Sequence, residues 1–354
     1  MRRSICYSEP TASLAGSPST WKFTYTTANQ LPKGAKIRFD LGSRGRSTDW
    51  QIPQTEPKAS ANRIWLEMPG EKTVTATLIR NPQNLTTSFE FVLPNDMKSG
   101  ESFFIWIGSP DRDPGKGTVC QKTVQRKRPF QLFIDPKGKG DYKDPETFYV
   151  DVRGNHLKNL RVIAPSLVNR NKRFDIIVRF EDIFGNLTCN APEGTLIDLS
   201  YQNLRENLNW KLFVPETGFI ALPNLYFNEP GIYRIQLKNL HSHELFLSPP
   251  IKCLPEGMLS LYWGILHGES ERYDSTESIE NLLRHIRDDR GLQFFATSCF
   301  DSEKETTSDQ WKSLSQQIAE FNEDERFVAM AGFQWLGDLK EEGLRHFIYG
   351  KDGK

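Results

Sequence analysis

One histidine, His267, stands where a run of strand-forming residues gives way to a glycine and a carboxylate. The segment Leu261–Ser270 reads Leu-Tyr-Trp-Gly-Ile-Leu-His-Gly-Glu-Ser, and an amphipathic helical pattern follows it. In α/β enzymes the carboxyl end of a strand is where ligands and metal ions are held. The segment is therefore a candidate ligand or metal site.

The segment resembles the first metal-binding motif of the polymerase and histidinol phosphatase (PHP) superfamily. More narrowly, it is similar to the domain-of-unknown-function 3604 family, whose pattern is roughly Trp-Gly-Asp-Leu-His-x-His-Ser/Thr. Ile265 stands where that pattern has Asp, and Glu269 stands where it has the second His. The resemblance implies a metal-dependent hydrolase in which His and carboxylate ligands hold divalent metals that activate water.

Some positions of the family's metal site keep residues able to bind a metal. His267 matches the first ligand His, and Asp274 matches an acidic residue of the following turn. At three further positions the residue differs from the family's ligand but can still bind Zn²⁺, because a carboxylate, a thiolate and an imidazole are all zinc ligands. These residues are Glu269, Cys299 and His346. His346 lies two residues after the family's His position, and in a strand it faces the same side.

Other positions have lost the ligand. Phe300 replaces a His, Gln334 replaces a Glu, Leu344 replaces a His, and Ile265 replaces an Asp. Trp263, Gly264, Trp311, Gly332 and Trp335 are scaffold positions, and they match the family. Substitution concentrated on the metal-facing positions predicts a fold that was retained while its chemistry was relaxed.

The similarity covers about residues 20–350, although each further match is short. The matching stretches are Trp50–Pro57, Phe133–Tyr142, Val162–Ser166, Val178–Asn186 and Arg326–Trp335. We expect a catalytically degenerate family member that acts as a binding or interaction protein and has no bound cofactor. The alternative is a hydrolase of a phosphoester or related ester, with Zn²⁺ or Mn²⁺ at a reduced site of His267, Glu269, Asp274, Cys299 and His346.

Composition narrows the class of protein. Lys+Arg and Asp+Glu both number 45 in 354 residues, and this balance argues against a nucleic-acid partner. The five cysteines are scattered, which favours a reducing compartment, and no run approaches the ~18 apolar residues of a membrane span. We expect a cytoplasmic protein with no membrane association. The basic segment 122–128 is interpreted as a solvated linker, and the alternative is a local basic patch.

Periodicity predicts a multidomain β plus α/β protein: two β-sandwich (immunoglobulin-like) modules followed by a partial PHP-like β/α barrel. Short alternating runs separated by Gly, Pro and Asn are typical of sandwiches. The predicted divisions are a flexible tail at 1–20, a sandwich at 21–125, an immunoglobulin-like sandwich at 126–254 and the start of the barrel at 255–354.

The last region combines strands with two amphipathic helices. Their apolar faces are Ile279, Leu282, Leu283 and Ile286, and then Trp311, Leu314, Ile318 and Phe321. Alternating strands and helices predict parallel pairing. A closed barrel needs about 200–250 residues, so a part-built sheet is expected, with a missing carboxyl-terminal barrel portion or an unknown protein partner covering its edge.

Overall fold

The fold is described from a computed structural model, which divides the chain into two compact units. The first unit comprises Met1–Lys158 with Glu181–Asn190, and the second comprises Asn159–Phe180 with Ala191–Lys354. The structure describes residues 4–80, 86–142, 144–202, 204–268, 279–300, 307–323, 326–338 and 340–350.

The described part of the first unit is built mostly from antiparallel strands, with a 3₁₀ turn at Pro114–Lys116. Its strands are β1 (Ile5–Glu9), β2 (Ala12–Leu14), β3 (Pro18–Ser19), β4 (Trp21–Thr26), β5 (Lys36–Ser43), β6 (Arg63–Met68), β7 (Lys72–Thr75), β8 (Thr77–Arg80), β9 (Thr87–Val92), β10 (Ser102–Gly108), β11 (Thr118–Val119), β12 (Gln125–Asp135) and β13 (Glu146–Arg153). A five-stranded sheet has the order β1-β4-β10-β6-β7, and a six-stranded sheet has the order β2-β13-β12-β5-β9-β8.

The two large sheets enclose one aromatic core, which makes this unit a β-sandwich. Phe23 on β4 contacts Phe39 on β5 at 5.0 Å and Phe130 on β12 at 4.9 Å between ring centroids. Alternate residues of each strand supply these side chains, as the period-two pattern predicts. Phe23, Phe39 and Phe130 are all fully buried.

The predicted flexible tail at 1–20 is wrong for the described residues of that range. Strand β1 pairs with β4 from Ile5 opposite Thr26 to Glu9 opposite Lys22, and β2 pairs in parallel with β13. The Ser-, Pro- and Thr-rich composition gave no strand signal here, and the partner of β2 lies far away in the chain, since Ala12 stands opposite Asp151.

The predicted boundary at 125/126 and the linker at 122–128 also differ from the structure. Strand β12 begins at Gln125 and pairs with both β5 and β13, so the first sandwich continues beyond this point. Arg128 is only 5% exposed. Alternate residues of a strand share one face, so Arg128 faces the interior together with Phe130 and Leu132. Its charge by itself suggests a solvated position.

The second unit combines a sandwich module with an α/β segment. Its strands are β14 (Asn159–Ile163), β15 (Leu167–Asn169), β16 (Phe174–Glu181), β17 (Leu196–Tyr201), β18 (Leu204–Phe213), β19 (Phe219–Leu225), β20 (Gly231–Tyr233), β21 (Ile235–Asn239), β22 (Leu245–Leu247), β23 (Ile251–Leu254), β24 (Gly264–Gly268), β25 (Phe294–Thr297), β26 (Cys299–Phe300), β27 (Val328–Met330), β28 (Gly332–Leu336) and β29 (Leu344–Ile348). Its helices are α1 (Ile279–Arg284), which continues into a π-helical turn at His285–Asp289, and α2 (Ser308–Phe321).

Three small sheets form the sandwich module of this unit, in the orders β14-β16-β19, β15-β23-β20 and β18-β17-β21-β22. One aromatic cluster joins them. Phe227 lies 5.2 Å from Phe174, 5.4 Å from Tyr201 and 3.8 Å from Tyr233, measured between ring centroids. The β-sandwich prediction is confirmed at this level, and the immunoglobulin-like topology stays a prediction.

In the α/β segment, β24, β25 and β27 form a parallel three-stranded sheet, as predicted. The helical faces also match the prediction, with Leu283, Ile286, Leu314, Ile318 and Phe321 all buried. Strand β29 differs, because it pairs antiparallel with β28. The PHP-like barrel stays a prediction.

Candidate functional site

The first motif lies on β24, at one side of the parallel sheet. Gly268 stands opposite Thr297 of β25, and His267 beside it is exposed. A Cβ on Gly268 would meet the Phe295 ring at 2.0 Å, so only glycine lets the two strands approach this closely. The glycine after His267 is therefore required by packing as well as by the motif.

Thr297 and Gly332 tie the ends of β25 and β28 together. The Thr297 hydroxyl donates to the Gly332 carbonyl at 2.9 Å and accepts from the Gly332 amide at 2.9 Å. The Cys299 thiol lies 3.6 Å from the same Gly332 carbonyl. Thr297 and Gly332 are small residues that sequence reasoning did not select for the site, because neither carries metal-binding chemistry.

His346 on β29 reaches this junction. Its Nε2 lies 2.9 Å from the Thr297 carbonyl oxygen, and a carbonyl can only accept, so Nε2 carries the proton. The lone pair of the neutral ring is then on Nδ1. A backbone carbonyl that orients an imidazole in this way is also the usual companion of a metal-binding histidine.

The structure brings three of the five predicted residues together where the parallel sheet adjoins a second sheet of order β26-β28-β29. The His267 and His346 ring centroids are 5.2 Å apart, at an interplanar angle of 79°. Cys299 and His346 both lie next to Gly332, since a Cβ there would sit 2.9 Å from His346 Nε2. Glu269 and Asp274 lie outside the described residues.

The positions that lost their ligands have different surroundings. Gln334 is 1% exposed, and its amide Nε2 donates to the Ser298 carbonyl at 2.7 Å. Leu344 and Ile265 are exposed on their strands. The side chain of Phe300 lies outside the described residues, although its backbone pairs with Gln334 on β28.

The donor set does not complete a metal site within the described part of the chain. Two imidazoles and a thiol are ligands that suit Zn²⁺. Across the described ranges, however, no group of three or more His, Cys, Asp and Glu side chains is placed to hold a metal ion. The residues therefore fit a metal only in part, and no reaction step follows from them.

Comparison with known proteins gives relatives but no activity. No family model matches the chain. It is 52% identical to an uncharacterized protein of Chlamydia trachomatis serovar D and 50% identical to one of Chlamydia pneumoniae. Each alignment takes in the whole chain and 58% of the relative, so the chain spans just over half of the relatives' length.

Two solved structures of intimin domains were also found. The D0-D1 domain of intimin has a TM-score of 0.21 at 8% identity, and the D00-D0 domain has a TM-score of 0.27 at 10% identity. Each match covers 71% of this chain and all of the intimin chain. In the described residues, no helix is both long and apolar enough to cross a membrane.

Proposed function

We propose that this protein is a binding protein whose α/β segment derives from a PHP-like hydrolase and no longer carries the usual hydrolase activity. Gln334 is the observation that carries this proposal. Where the family has an anionic ligand, this chain has a buried neutral amide that donates to the Ser298 carbonyl. An amide cannot offset the charge of a metal ion as a carboxylate does.

The exposed apolar side chains of the α/β segment support a binding role. Parallel sheets are normally covered on both faces by helices. On β24, however, Ile265 is 39% exposed and Leu266 is 50% exposed, and Val328 on β27 is 50% exposed. Strands β24 and β27 are also the two outer strands of this sheet. Apolar side chains beside outer strands are suited to contact another polypeptide segment.

We propose that the bound segment adds strands or helices to this sheet. The relatives contain further length that this chain does not match, and that part is one source of such a segment. An experiment follows directly: the unmatched part of the Chlamydia trachomatis relative is expressed separately and its binding to this chain is measured. A Leu266→Lys substitution should weaken binding at least about tenfold, since a desolvated charge opposes docking.

A matched substitution controls for charge. Val92→Lys introduces the same charge at an exposed position of the first sandwich, where Val92 is 49% exposed. It should leave the affinity within about twofold of the unmodified chain, a difference smaller than about 0.5 kcal/mol. Equal loss of binding in both variants would reject the sheet as the binding surface.

The loss of hydrolase activity is tested by metal content and turnover. Zinc and manganese are measured by mass spectrometry after metal soaking, beside a His267→Ala/His346→Ala double variant. We expect equal metal content in the two proteins and no hydrolysis of p-nitrophenyl phosphate by either. One metal ion per chain that disappears in the double variant would contradict the proposal.

A second candidate is a Zn²⁺- or Mn²⁺-dependent phosphoester hydrolase that uses a reduced site. It is favoured by the 5.2 Å separation of the His267 and His346 rings and by the carbonyl that orients His346. The metal ion would be held by ligands from the set His267, Glu269, Asp274, Cys299 and His346, of which Glu269 and Asp274 lie outside the described residues. A bound metal would supply Lewis acidity. Metal loss and loss of phosphatase turnover together in the His346→Ala variant would favour this candidate.

A further inference from the structure

The first sandwich contains a cavity of about 330 Å³ near the start of β12, and the proposed binding role of the α/β segment does not involve it. Arg128, Trp50 and Gln121 form its buried lining, and Arg46, Thr48 and Asp49 belong to its outer part. This volume is at the lower end of the range found for small-ligand sites. The class of ligand that suits this cavity can be inferred from the chemistry of its lining.

Arg128 is the unusual member of this lining. Its guanidinium donates through Nε to Gln121 Oε1 at 2.8 Å, through Nη1 to the Pro129 carbonyl at 3.0 Å, and through Nη2 to the Leu41 carbonyl. All three acceptors are neutral. Within the described part of the chain, no carboxylate forms an ion pair with it. Since a guanidinium has five N–H donors, two are left over.

Two aromatic rings partly stabilise the buried charge of Arg128 through cation–π contacts. The Arg128 Cζ atom lies 4.1 Å from the Phe130 ring centroid and 5.0 Å from that of Trp50. Burial lowers the pKa of Arg128 to about 10, against the opposing effects of Cys120, Asp40 and Asp49. The group is still protonated at neutral pH, so a positive charge is held inside the sandwich.

Trp50 adds a second, independent donor. Its side chain is 1% exposed, and its indole N–H has no hydrogen-bond acceptor among the residues that the structure describes. Buried donors are normally satisfied, and an unsatisfied one destabilises the fold unless a ligand accepts its hydrogen bond. The same cavity wall thus holds an incompletely compensated cation and an unsatisfied N–H group.

Asp49 contributes a carboxylate to the lining, and this carboxylate is already hydrogen-bonded. Asp49 accepts from Arg46 Nε at 3.0 Å and from the backbone amides of Arg44 and Arg46. Arg46 and Asp49 form an ion pair at 3.0 Å, so the side chains of the lining together carry one net positive charge. A lining with surplus donors and one net positive charge suits a ligand that only accepts hydrogen bonds and carries negative charge.

We propose that this cavity binds a small oxyanion, of the phosphate or carboxylate class, between Arg128 and Arg46. The spare N–H groups of Arg128 and the indole N–H of Trp50 donate to its oxygens. Charge-assisted hydrogen bonds of this kind are among the strongest in proteins, and a guanidinium recognises both anion types.

The test is binding of inorganic phosphate and, separately, of acetate to the whole chain by calorimetry. Ionic strength is held constant with chloride, which serves as the reference anion. We expect saturable binding of phosphate or acetate, and the anion that binds more tightly identifies the class. An Arg46→Ala variant removes an exposed side chain and leaves Asp49 facing the cavity, so affinity should fall at least about tenfold.

Arg44→Ala is the matched control, because Arg44 is an exposed arginine two residues away that is not part of the lining. Its affinity should stay within about twofold of the unmodified chain. In a ¹H–¹⁵N spectrum, the Trp50 indole signal, assigned with Trp50→Phe, should move downfield as the anion binds. The proposal is overturned if neither anion binds more tightly than chloride, or if the two arginine variants lose affinity equally.

Discussion

The first sandwich and the α/β segment differ in how completely they bury their apolar strands. In the sandwich, residues of both sheets that face inward are fully buried, including Trp21, Phe23, Phe89 and Phe103. In the α/β segment, Leu266 on β24, Val328 on β27 and Phe347 on β29 are all at least 44% exposed. Apolar strand residues are thus packed into a complete core in the first sandwich, whereas several of them remain exposed to solvent in the α/β segment.

The difference shows that strand propensity does not by itself imply burial. A sandwich supplies its own opposing sheet, so each inward-facing residue meets a partner within the unit. A parallel sheet relies on helices for both faces, and α1 and α2 bury only part of this one. An incompletely covered sheet is available to another polypeptide segment, whereas the inward faces of the two sandwich sheets already cover each other.

The largest predicted effect lies in the sandwich core. Phe148 is 1% exposed and its neighbour Tyr149 on β13 is 50% exposed. The two side chains therefore lie on opposite faces of one strand, one facing the core and one facing solvent. Phe148→Ala should lower the free energy of unfolding by about 3–5 kcal/mol, because it leaves a cavity. Denaturant unfolding followed by tryptophan fluorescence measures this change.

Tyr149→Ala is the matched control for Phe148→Ala. It should lower the free energy of unfolding by less than about 1 kcal/mol, as is usual for exposed positions. Similar losses in the two variants would mean that β13 does not present opposite faces to core and solvent.

The next effect probes the junction of the α/β segment. A Cβ on Gly332 would lie 2.5 Å from the Thr297 carbonyl oxygen and 2.8 Å from that of Phe347. Gly332→Ala should therefore cost about 1–3 kcal/mol through overpacking. Thermal unfolding measures it, and Gly350→Ala, where a Cβ meets nothing within 4 Å, should leave the midpoint unchanged.

A smaller effect concerns acid stability of the sandwich. Burial acts to raise the pKa of Asp49, but hydrogen bonds from Arg46 and from the Arg44 and Arg46 amides hold it below the ordinary value of 3.8. Because the unfolded chain binds this proton first, the stability from Asp49 is fully present above about pH 4 and is lost as the pH falls through the folded-state pKa.

An Asp49→Asn variant tests this acid dependence. At neutral pH it should lower the free energy of unfolding by about 1 kcal/mol, since the ion pair is partly solvated. Below the folded-state pKa of Asp49, the variant and the unmodified chain should differ less. Urea unfolding at a series of pH values measures both, and a difference independent of pH would exclude the carboxylate as its source.

The smallest effect sharpens the contrast between the regions. Leu266→Ala on the exposed β24 should change the free energy of unfolding by less than about 0.5 kcal/mol. Leu132→Ala in the sandwich, where the side chain is fully buried, should cost about 2–5 kcal/mol. A large loss for Leu266→Ala would show that β24 is covered in the isolated chain.

Part of the candidate site could be predicted from the sequence. The resemblance selected His267, Cys299 and His346, and the structure brings all three to the place where the two sheets of the α/β segment adjoin. The roles of Thr297 and Gly332 could not be predicted, because their mutual hydrogen bonds depend on the contact between β25 and β28. The bond between Thr297 and His346 spans 49 residues, which no local pattern encodes.

The sequence by itself determined the local features of this protein: the alternating strands, the apolar faces of α1 and α2, and the parallel arrangement of β24, β25 and β27. The strands and the helical faces follow from side-chain periodicity, which each segment carries within itself. The parallel arrangement follows from the alternation of strands and helices along the chain. Only the tertiary structure decided that residues 5–19 contain three strands, that Arg128 is buried, and that β24 is exposed. Each depends on which distant segment pairs with or covers the strand, and periodicity specifies a face without specifying its partner.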